Sequence, residues 1–294
     1  MGEGARFRLD FTPHIGFPTP ATPLFDALVG DASPEAQIAF AAAQGFRRVQ
    51  DPFAAQRSEA AQLRVGAAAR AAGVGLSCFV YASMERVSQP QWSALDPQGR
   101  AALEADLAEA IAIGRRIGSR HIAILTGADP ARTSAEQRKA MAANLARLAE
   151  RAADADMMLC VEAVNARRLP QMLLHHFADA IEVVRSAAHP AVRLIFDTAH
   201  VQAMDGDILG SMDAAWDLID LIQLADHPGR VEPGAGELNF TRIITEIERR
   251  GFAGPVELEH GWSRPGADLQ RTYLQWLRGW ASNDEGNADG DAVA

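Results

Sequence analysis

The sequence has few cysteines and fewer basic than acidic residues, and both shortages exclude classes of protein. Cys78 and Cys160 are the only cysteines among 294 residues, too few for a disulfide scaffold and too far apart for a CxxC pair. They are predicted to be buried thiols in a reducing compartment. The 28 Lys and Arg residues against 38 Asp and Glu give a net charge of −10. Because a chain this acidic has no general attraction to phosphate backbones, we expect no nucleic acid partner.

Targeting, membrane and nucleotide-binding motifs are also missing. The first residues, MGEGARFRLDFTPH, contain no apolar signal-peptide core, and no run of about 18 uncharged apolar residues occurs after them. These absences predict a cytoplasmic protein that has no membrane partner. No GxGxxG turn comes after the first predicted strand, and GxxxxGK[ST] does not occur. The sequence therefore lacks the usual signatures of nucleotide-binding open sheets.

Short β-branched or apolar runs alternate with long alanine-rich segments of helical period, as in repeated βα units around a parallel sheet. About eight units of about 34 residues occur, which is the size of the module in a barrel. We therefore predict an α/β protein with one (β/α)8 TIM barrel domain. Ser33 is predicted to cap a helix, and Ser134 with Gln137 to form a capping box. The predicted strands are 7–11, 47–50, 75–80, 121–125, 157–161, 193–196, 221–224 and 256–258, and the main predicted helices are 34–44, 58–72, 101–117, 134–155, 176–186 and 240–250.

The composition changes abruptly after Trp280. Residues 281–294 contain four acidic residues and no basic residue. This composition predicts an acidic disordered tail at the end of a catalytic barrel domain that spans residues 1–280.

Four consecutive predicted strands in the second half end abruptly at a polar residue: Glu162, Asp197, Gln223 and Glu259. In a barrel, these side chains face a common mouth at the carboxyl ends of the strands. For a single carboxylate in such a position, helix capping or a pair with arginine is the more common explanation. Three carboxylates together would repel one another, so a compensating cation is expected. The oxygen ligands predict one divalent metal ion, Mg²⁺ or Mn²⁺.

Several segments carry a resemblance to a known family, in order and at the proper spacing from about residue 159 to residue 266. They are VEAVN at 161–165, FDTAH at 196–200, QLADHPGR at 223–230, EPGAGELNF at 232–240 and ELEH at 257–260. With these segments the chain resembles the hydroxypyruvate isomerase family, which belongs to the xylose-isomerase-like TIM barrels. The resemblance is weaker in the first half of the chain.

The resemblance implies roles for individual residues. Glu162 and Glu259 would each bind the metal and together serve as the acid–base pair that moves a proton between adjacent carbons. Asp197 and Gln223 would complete the metal site. His200 would lie beside the substrate, and Arg230 would hold its polar groups.

Two further histidines are candidate substrate contacts, and some positions depart from the family. His14 comes after the first predicted strand and His227 lies near the ligands, although loop packing for His14 and support of Asp226 for His227 are alternatives. The family often has proline after the first glutamate and an aromatic residue after the last, where this chain has Ala163 and His260. The second predicted strand ends in Gln50-Asp51, where the isomerases tend to have a glutamate.

These residues predict an enzyme, an isomerase of carbohydrate metabolism that acts on a small hydroxycarbonyl substrate. One glutamate would remove a proton next to a carbonyl, the metal would stabilise the enediolate, and the other glutamate would return the proton to the neighbouring carbon. Conversion of hydroxypyruvate to tartronate semialdehyde is the preferred reaction. A keto-sugar epimerase, and a lyase or dehydratase acting on a sugar-derived ketone, remain alternatives because they share the first step.

Two other classes fit less well. An apurinic endonuclease of this fold needs a histidine-rich zinc cluster and a basic groove, whereas this chain has eight histidines and a net charge of −10. A non-catalytic sugar-binding barrel would not need all four predicted ligands. The sequence leaves open a homo-oligomer, the identity of the metal and the exact substrate.

Overall fold

The computed structural model describes residues 7–280, which form a curled parallel sheet with helices outside it. The predicted acidic tail lies outside these residues. Seven strands pair in parallel in the order β1-β9-β8-β7-β6-β5-β4, and β2 pairs with β3. The strands are β1 (Asp10–Pro13), β2 (Arg48–Val49), β3 (Gly75–Leu76), β4 (Cys78–Val80), β5 (His121–Ile124), β6 (Met158–Val161), β7 (Val192–Asp197), β8 (Ile219–Gln223) and β9 (Pro255–Leu258).

The two groups of strands close into one barrel. A parallel bridge between His14 and Gln50 joins the end of β1 to the end of β2. The short strands β3 and β4 are separated only by Ser77, and the Ser77 N–H donates to the Val49 carbonyl at 2.9 Å. Counted as one, β3 and β4 make the eighth barrel strand, so the predicted (β/α)8 TIM barrel is confirmed.

The helices alternate with the strands, as the helical periods in the sequence predicted. They are α1 (Asp26–Val29), α2 (Pro34–Ala43), α3 (Glu59–Ala72), α4 (Met84–Val87), α5 (Pro97–Ile117), α6 (Ser134–Asp154), α7 (Phe177–Ala187), α8 (Thr198–Met204), α9 (Ile208–Ala215), α10 (Phe240–Arg249) and α11 (Ala267–Arg278), with one 3₁₀ turn at Ala54–Gln56. None of the helices in this described part of the chain is long and apolar enough to cross a membrane.

The helix caps show where the sequence signal was correct and where it was one residue off. The Ser33 hydroxyl accepts from the Ala36 N–H at the start of α2, as predicted. The capping box of α6 uses Thr133 and Glu136, so the predicted box at Ser134 and Gln137 is wrong. The Gln137 side chain is buried and donates to the carbonyl groups of the preceding loop instead, which fixes the register of the helix.

The strand side chains belong to one buried hydrophobic cluster, which also includes both cysteines. Ile122, Leu159, Leu194 and similar residues on neighbouring strands are almost fully buried, and each such side chain contributes about 1.5–3 kcal/mol of burial free energy. Cys78 and Cys160 are free, buried thiols, as predicted. Because burial raises the pKa of both thiols well above the usual value, they stay protonated at neutral pH.

Candidate active site

Four neighbouring strands bring the predicted polar side chains to one end of the barrel. Glu162 comes directly after β6, Asp197 ends β7, Gln223 ends β8 and Glu259 comes directly after β9. Asp197 pairs with Gln223 in the register of β7 and β8, and all four side chains are buried. Because parallel strands end on the same side of a sheet, the abrupt polar strand ends meet around one cavity.

Arg230 joins two of these carboxylates. Its Nη2 donates to Asp197 Oδ2 at 2.7 Å and to Glu259 Oε1 at 2.8 Å, and its side chain is only 7% exposed. Burial alone would raise the pKa of Asp197, but the charge of Arg230 reverses this effect and leaves the pKa below its usual value. Arg230 therefore keeps Asp197 ionised. The Nε and Nη1 atoms of Arg230 have no partner within residues 7–280, so they are free to donate to a ligand.

Glu162 faces His200, and the surroundings of His200 define its tautomer. The Asn165 backbone N–H donates to His200 Nδ1 at 3.3 Å, so Nδ1 is an acceptor. Burial lowers the pKa of His200 to about 3, which keeps the ring neutral. The single ring proton is therefore on Nε2, which lies 3.7 Å from Glu162 Oε1. Burial, with Glu259 and Asp197 nearby, raises the pKa of Glu162 well above its usual value.

A second buried carboxyl, Glu257, lies beside Glu259. The Nε2 atoms of Gln50 and Gln223 each donate to Oε2 of both glutamates, at 2.5–3.0 Å. The Ser77 hydroxyl and the Cys78 N–H donate to the other oxygen of Glu257. Burial and the neighbouring Glu259 outweigh these donors and raise the pKa of Glu257 to about 8. The two glutamine amides thus hold Glu259 in place against a fully buried partner.

The donor atoms fit a hard divalent cation. Ligand atoms of Glu162 and Asp197 lie within 4.8 Å of each other and of a ring nitrogen of His200. Because its proton is on Nε2 and its Nδ1 accepts from Asn165, His200 is not counted as a metal ligand. The Gln223 Oε1 atom is buried and accepts no hydrogen bond within the described residues. A buried carbonyl oxygen without a donor is costly unless a ligand satisfies it. Carboxylate and amide oxygens of this kind are the ligands that Mg²⁺ and Mn²⁺ prefer.

A cavity of about 780 Å³, counted out to its open mouth, lies over these groups. Its polar lining comes mainly from the second half of the chain: Glu162, Arg168, His200, Gln223, Arg230 and Glu259, with Gln50 from the first half. The opposite wall is apolar and comes mainly from the first half: Phe17, Phe53, Phe79, Val80, Met84 and Leu125. The arrangement suits a small polar molecule whose reacting carbons lie against the carboxylates.

Asp226 shapes the loop that carries Arg230. Its buried carboxylate accepts from the backbone N–H groups of Gly234, Gly236 and Leu238 at 2.8–3.0 Å. Arg230 itself has a φ of 54°, a left-handed conformation that is uncommon for a residue with a side chain. The contacts of Asp226 close the loop and hold Arg230 in this conformation.

The two remaining predicted contacts lie at the edge of the site. His14 is buried, and its Nε2 lies 2.9 Å from the His260 carbonyl oxygen, outside the cavity lining. His227 lines a shallower pocket next to the cavity, together with His200 and Arg230. For both histidines, contact with the substrate stays a prediction.

Three residues of the site were not predicted from the sequence. Glu257 alternates with Glu259 along β9, and a period of two places both on one face of a strand, so this signal was present. Gln50 stands directly after β2, in the same position relative to its strand as Glu162 to β6. Arg168 lies in a loop without a regular pattern, so only the folded chain reveals its place in the cavity wall.

Comparison with known proteins agrees with this architecture. Residues 38–280 match the sequence profile of the family described as xylose isomerase-like TIM barrel. This chain belongs to that family. In a xylose isomerase-like barrel, the site at the carboxyl ends of the strands is in the position that the fold uses for catalysis.

Relatives of this xylose isomerase-like chain include named isomerases. The hydroxypyruvate isomerase of Escherichia coli (strain K12) is 31% identical over 155 residues, which are 52% of this chain and 60% of that protein, less than two thirds of its length. A 2-oxo-tetronate isomerase of Cupriavidus necator is 28% identical over 243 residues, 82% of this chain and 91% of that protein. The sequence profile confirms the predicted xylose-isomerase-like TIM barrel, and the names of these relatives agree with the predicted isomerase class.

Solved structures share the fold at low sequence identity. An AP endonuclease, family 2, from Brucella melitensis superposes with a TM-score of 0.76 at 19% identity, covering 95% of this chain and 100% of that one. A 3-keto-D-glucoside 4-epimerase from E. coli has a TM-score of 0.72 at 15% identity, covering 92% and 99%. At these identities the likeness concerns the fold alone.

Proposed function

We propose that this protein is a divalent-metal-dependent isomerase that moves a proton between adjacent carbons of a small hydroxycarbonyl acid, with hydroxypyruvate as the substrate and tartronate semialdehyde as the product. The observation that carries the proposal is the pair Glu162 and Glu259, two buried carboxyls that line one cavity from strands separated by β7 and β8. Carboxyls that enter from different strands approach a bound molecule from different directions.

The carboxyl environments support roles as acid and base. Burial raises the pKa of both Glu162 and Glu259, and Arg230 partly offsets the effect at Glu259. A carboxylate whose pKa is raised is a better base for a carbon-bound proton, and its acid form is more populated near neutral pH. One glutamate takes the proton from the hydroxymethyl carbon C3 of hydroxypyruvate, and the other delivers a proton to C2. The proton of the C3 hydroxyl passes to the C2 oxygen, so that the aldehyde forms at C3 and the hydroxyl group at C2.

Glu162, Asp197, Gln223 and Glu259 would hold the metal ion. When bound, the ion supplies a Lewis acid that stabilises negative charge on the carbonyl and hydroxyl oxygens of the substrate. Within the chain itself, His200 presents its Nε2 proton, and Arg230 presents its two unpartnered nitrogens, to the oxygens on which charge develops. The apolar wall limits the access of water, which favours these contacts.

A four-carbon 2-oxo-tetronate is a second candidate substrate. The Cupriavidus necator 2-oxo-tetronate isomerase aligns over 82% of this chain and 91% of its own length. The keto-sugar epimerase and lyase alternatives use the same proton removal and differ in the later steps of the reaction.

The proposal is tested by proton NMR in D₂O with the Mg²⁺-loaded protein. Hydroxypyruvate, 2-oxo-tetronate and several keto sugars are supplied separately, each with an enzyme-free control for spontaneous exchange. We expect an aldehyde signal of tartronate semialdehyde with deuterium at C2, and loss of this signal with a chelator. Epimerised sugar or a dehydrated product, without turnover of either acid, would replace the proposed reaction by one of the alternatives.

A further inference from the structure

We infer that Arg168 binds the carboxylate of the substrate and thereby makes the cavity selective for anionic over neutral hydroxycarbonyl compounds. This inference rests on the proposed function and adds a residue that determines specificity. Arg168 lies in the loop after β6, in the wall of the cavity that also contains Glu162 and Glu259.

The guanidinium of Arg168 is held at the cavity by an aromatic ring. Its Cζ lies 5.4 Å from the centre of the Phe17 ring, and the Cζ of Arg230 lies 5.2 Å from the same centre. Both distances are within the range of cation–π contacts. The Arg168 backbone N–H donates to Asn165 Oδ1 at 3.0 Å, which fixes the turn that leads from Glu162 to Arg168.

The two arginines differ in their partners. Arg230 donates to Asp197 and Glu259, so its charge is offset at short range. Within residues 7–280, no carboxylate oxygen lies within 4.0 Å of Arg168, whose stacking partner Phe17 carries no charge. A guanidinium offers a planar pair of donors that matches a carboxylate. Among the described residues, Arg168 is therefore a cation of the cavity wall whose charge no carboxylate offsets at short range.

The charges around the cavity favour an acid as well. Glu162, Asp197 and Glu259 carry three negative charges when ionised, and Arg230 with a divalent cation would carry three positive charges. Arg168 then adds one positive charge without a counterpart, which a substrate with a single carboxylate would neutralise.

The first test measures binding of two inert molecules that differ in the carboxylate. Glycerate has the three carbons and the carboxylate of hydroxypyruvate but a hydroxyl group in place of the ketone, and glycerol is its uncharged counterpart. By calorimetric titration at constant ionic strength, we expect wild-type protein to bind glycerate, and Arg168→Gln to bind it about tenfold more weakly. Arg168→Lys should retain part of the affinity, and the exposed loop variant Arg264→Gln should bind as wild type does. Equal affinity of wild type and Arg168→Gln for glycerate would overturn the inference.

The second test measures turnover. In Arg168→Gln, we expect KM for hydroxypyruvate to rise about tenfold while kcat changes less, because the contact is made equally in the ground and transition states. A fall in kcat alone, with KM unchanged, would overturn the assigned role. If wild type turns over no substrate but binds glycerate through Arg168, the proposed function fails and the binding role stands. If wild type turns over the substrate normally and Arg168→Gln behaves as wild type does, the role of Arg168 is wrong and the proposed function stands.

Discussion

In the second half of the chain, β6 to β9 each end at a polar side chain of the proposed active site, whereas the first half supplies mainly the apolar wall of Phe17, Phe79 and Leu125. Gln50 is the polar side chain that the first half adds to this lining, and it acts by holding Glu259. Under the proposed function, one half of the barrel supplies the chemistry and the other half supplies the shape of the pocket. A change of substrate would then alter the wall and leave the carboxylates in place.

The largest effect is expected when a proposed metal ligand in the second half of the chain is changed. Asp197→Asn removes a buried charge from the cation site, so we expect Mn²⁺ affinity to fall at least about 100-fold, measured by titration with electron paramagnetic resonance detection. The exposed control Asp217→Asn should bind Mn²⁺ as wild type does. Unchanged affinity in Asp197→Asn would remove Asp197 from the metal site.

A histidine of the first half should affect stability. Burial lowers the pKa of His14 from 6.5 to about 4, so the folded chain keeps it neutral while the unfolded chain takes up a proton. The free energy of unfolding that this pKa difference contributes is about 3 kcal/mol. It is fully present above about pH 6.5 and is lost as the pH falls through about 4. Denaturant titrations at several pH values should show that the free energy of unfolding of His14→Asn falls less steeply with decreasing pH than that of wild type. An identical loss of unfolding free energy in both proteins would show that groups other than His14 cause the acid sensitivity. The KM of His14→Asn for hydroxypyruvate separately tests the predicted substrate contact.

An intermediate effect on stability and on kcat/KM is expected for a substitution in the loop that carries Arg230. Asp226→Asn places an amide NH₂ against backbone N–H donors, so we expect a loss of about 1–3 kcal/mol in stability. Because Arg230 would no longer be held, kcat/KM should fall about tenfold or more. Thermal unfolding and steady-state kinetics check the two parts. A stable variant with wild-type kinetics would show that Asp226 does not position Arg230.

The smallest effect is expected for a substitution in the apolar wall of the cavity. Phe53→Leu shortens a partly buried, uncharged side chain of the cavity wall, so KM should change about threefold with kcat nearly constant. A large fall in kcat would contradict the division between the two halves.

The sequence predicted the fold and the polar strand ends because both depend on local patterns. Alternating strands and helices specify the barrel, and an apolar run that stops at Glu162 or Asp197 places that side chain at the mouth. The sharing of two glutamine amides between Glu257 and Glu259 depends on which side chains meet inside the barrel, which no local pattern encodes. The position of Arg168 depends on the conformation of an irregular loop and on contact with Phe17, far away in the sequence.

The central claim is that Glu162 and Glu259 move a proton between adjacent carbons in a site built by the second half of the barrel. It is tested most directly by the rate of deuterium incorporation into hydroxypyruvate and its product in D₂O, for Mg²⁺-loaded wild type, Glu162→Gln, Glu259→Gln and the exposed control Glu85→Gln. We expect each active-site variant to lose about 10²- to 10⁴-fold in rate and the control to match wild type. Deuterium incorporation at the wild-type rate in either active-site variant would contradict the account.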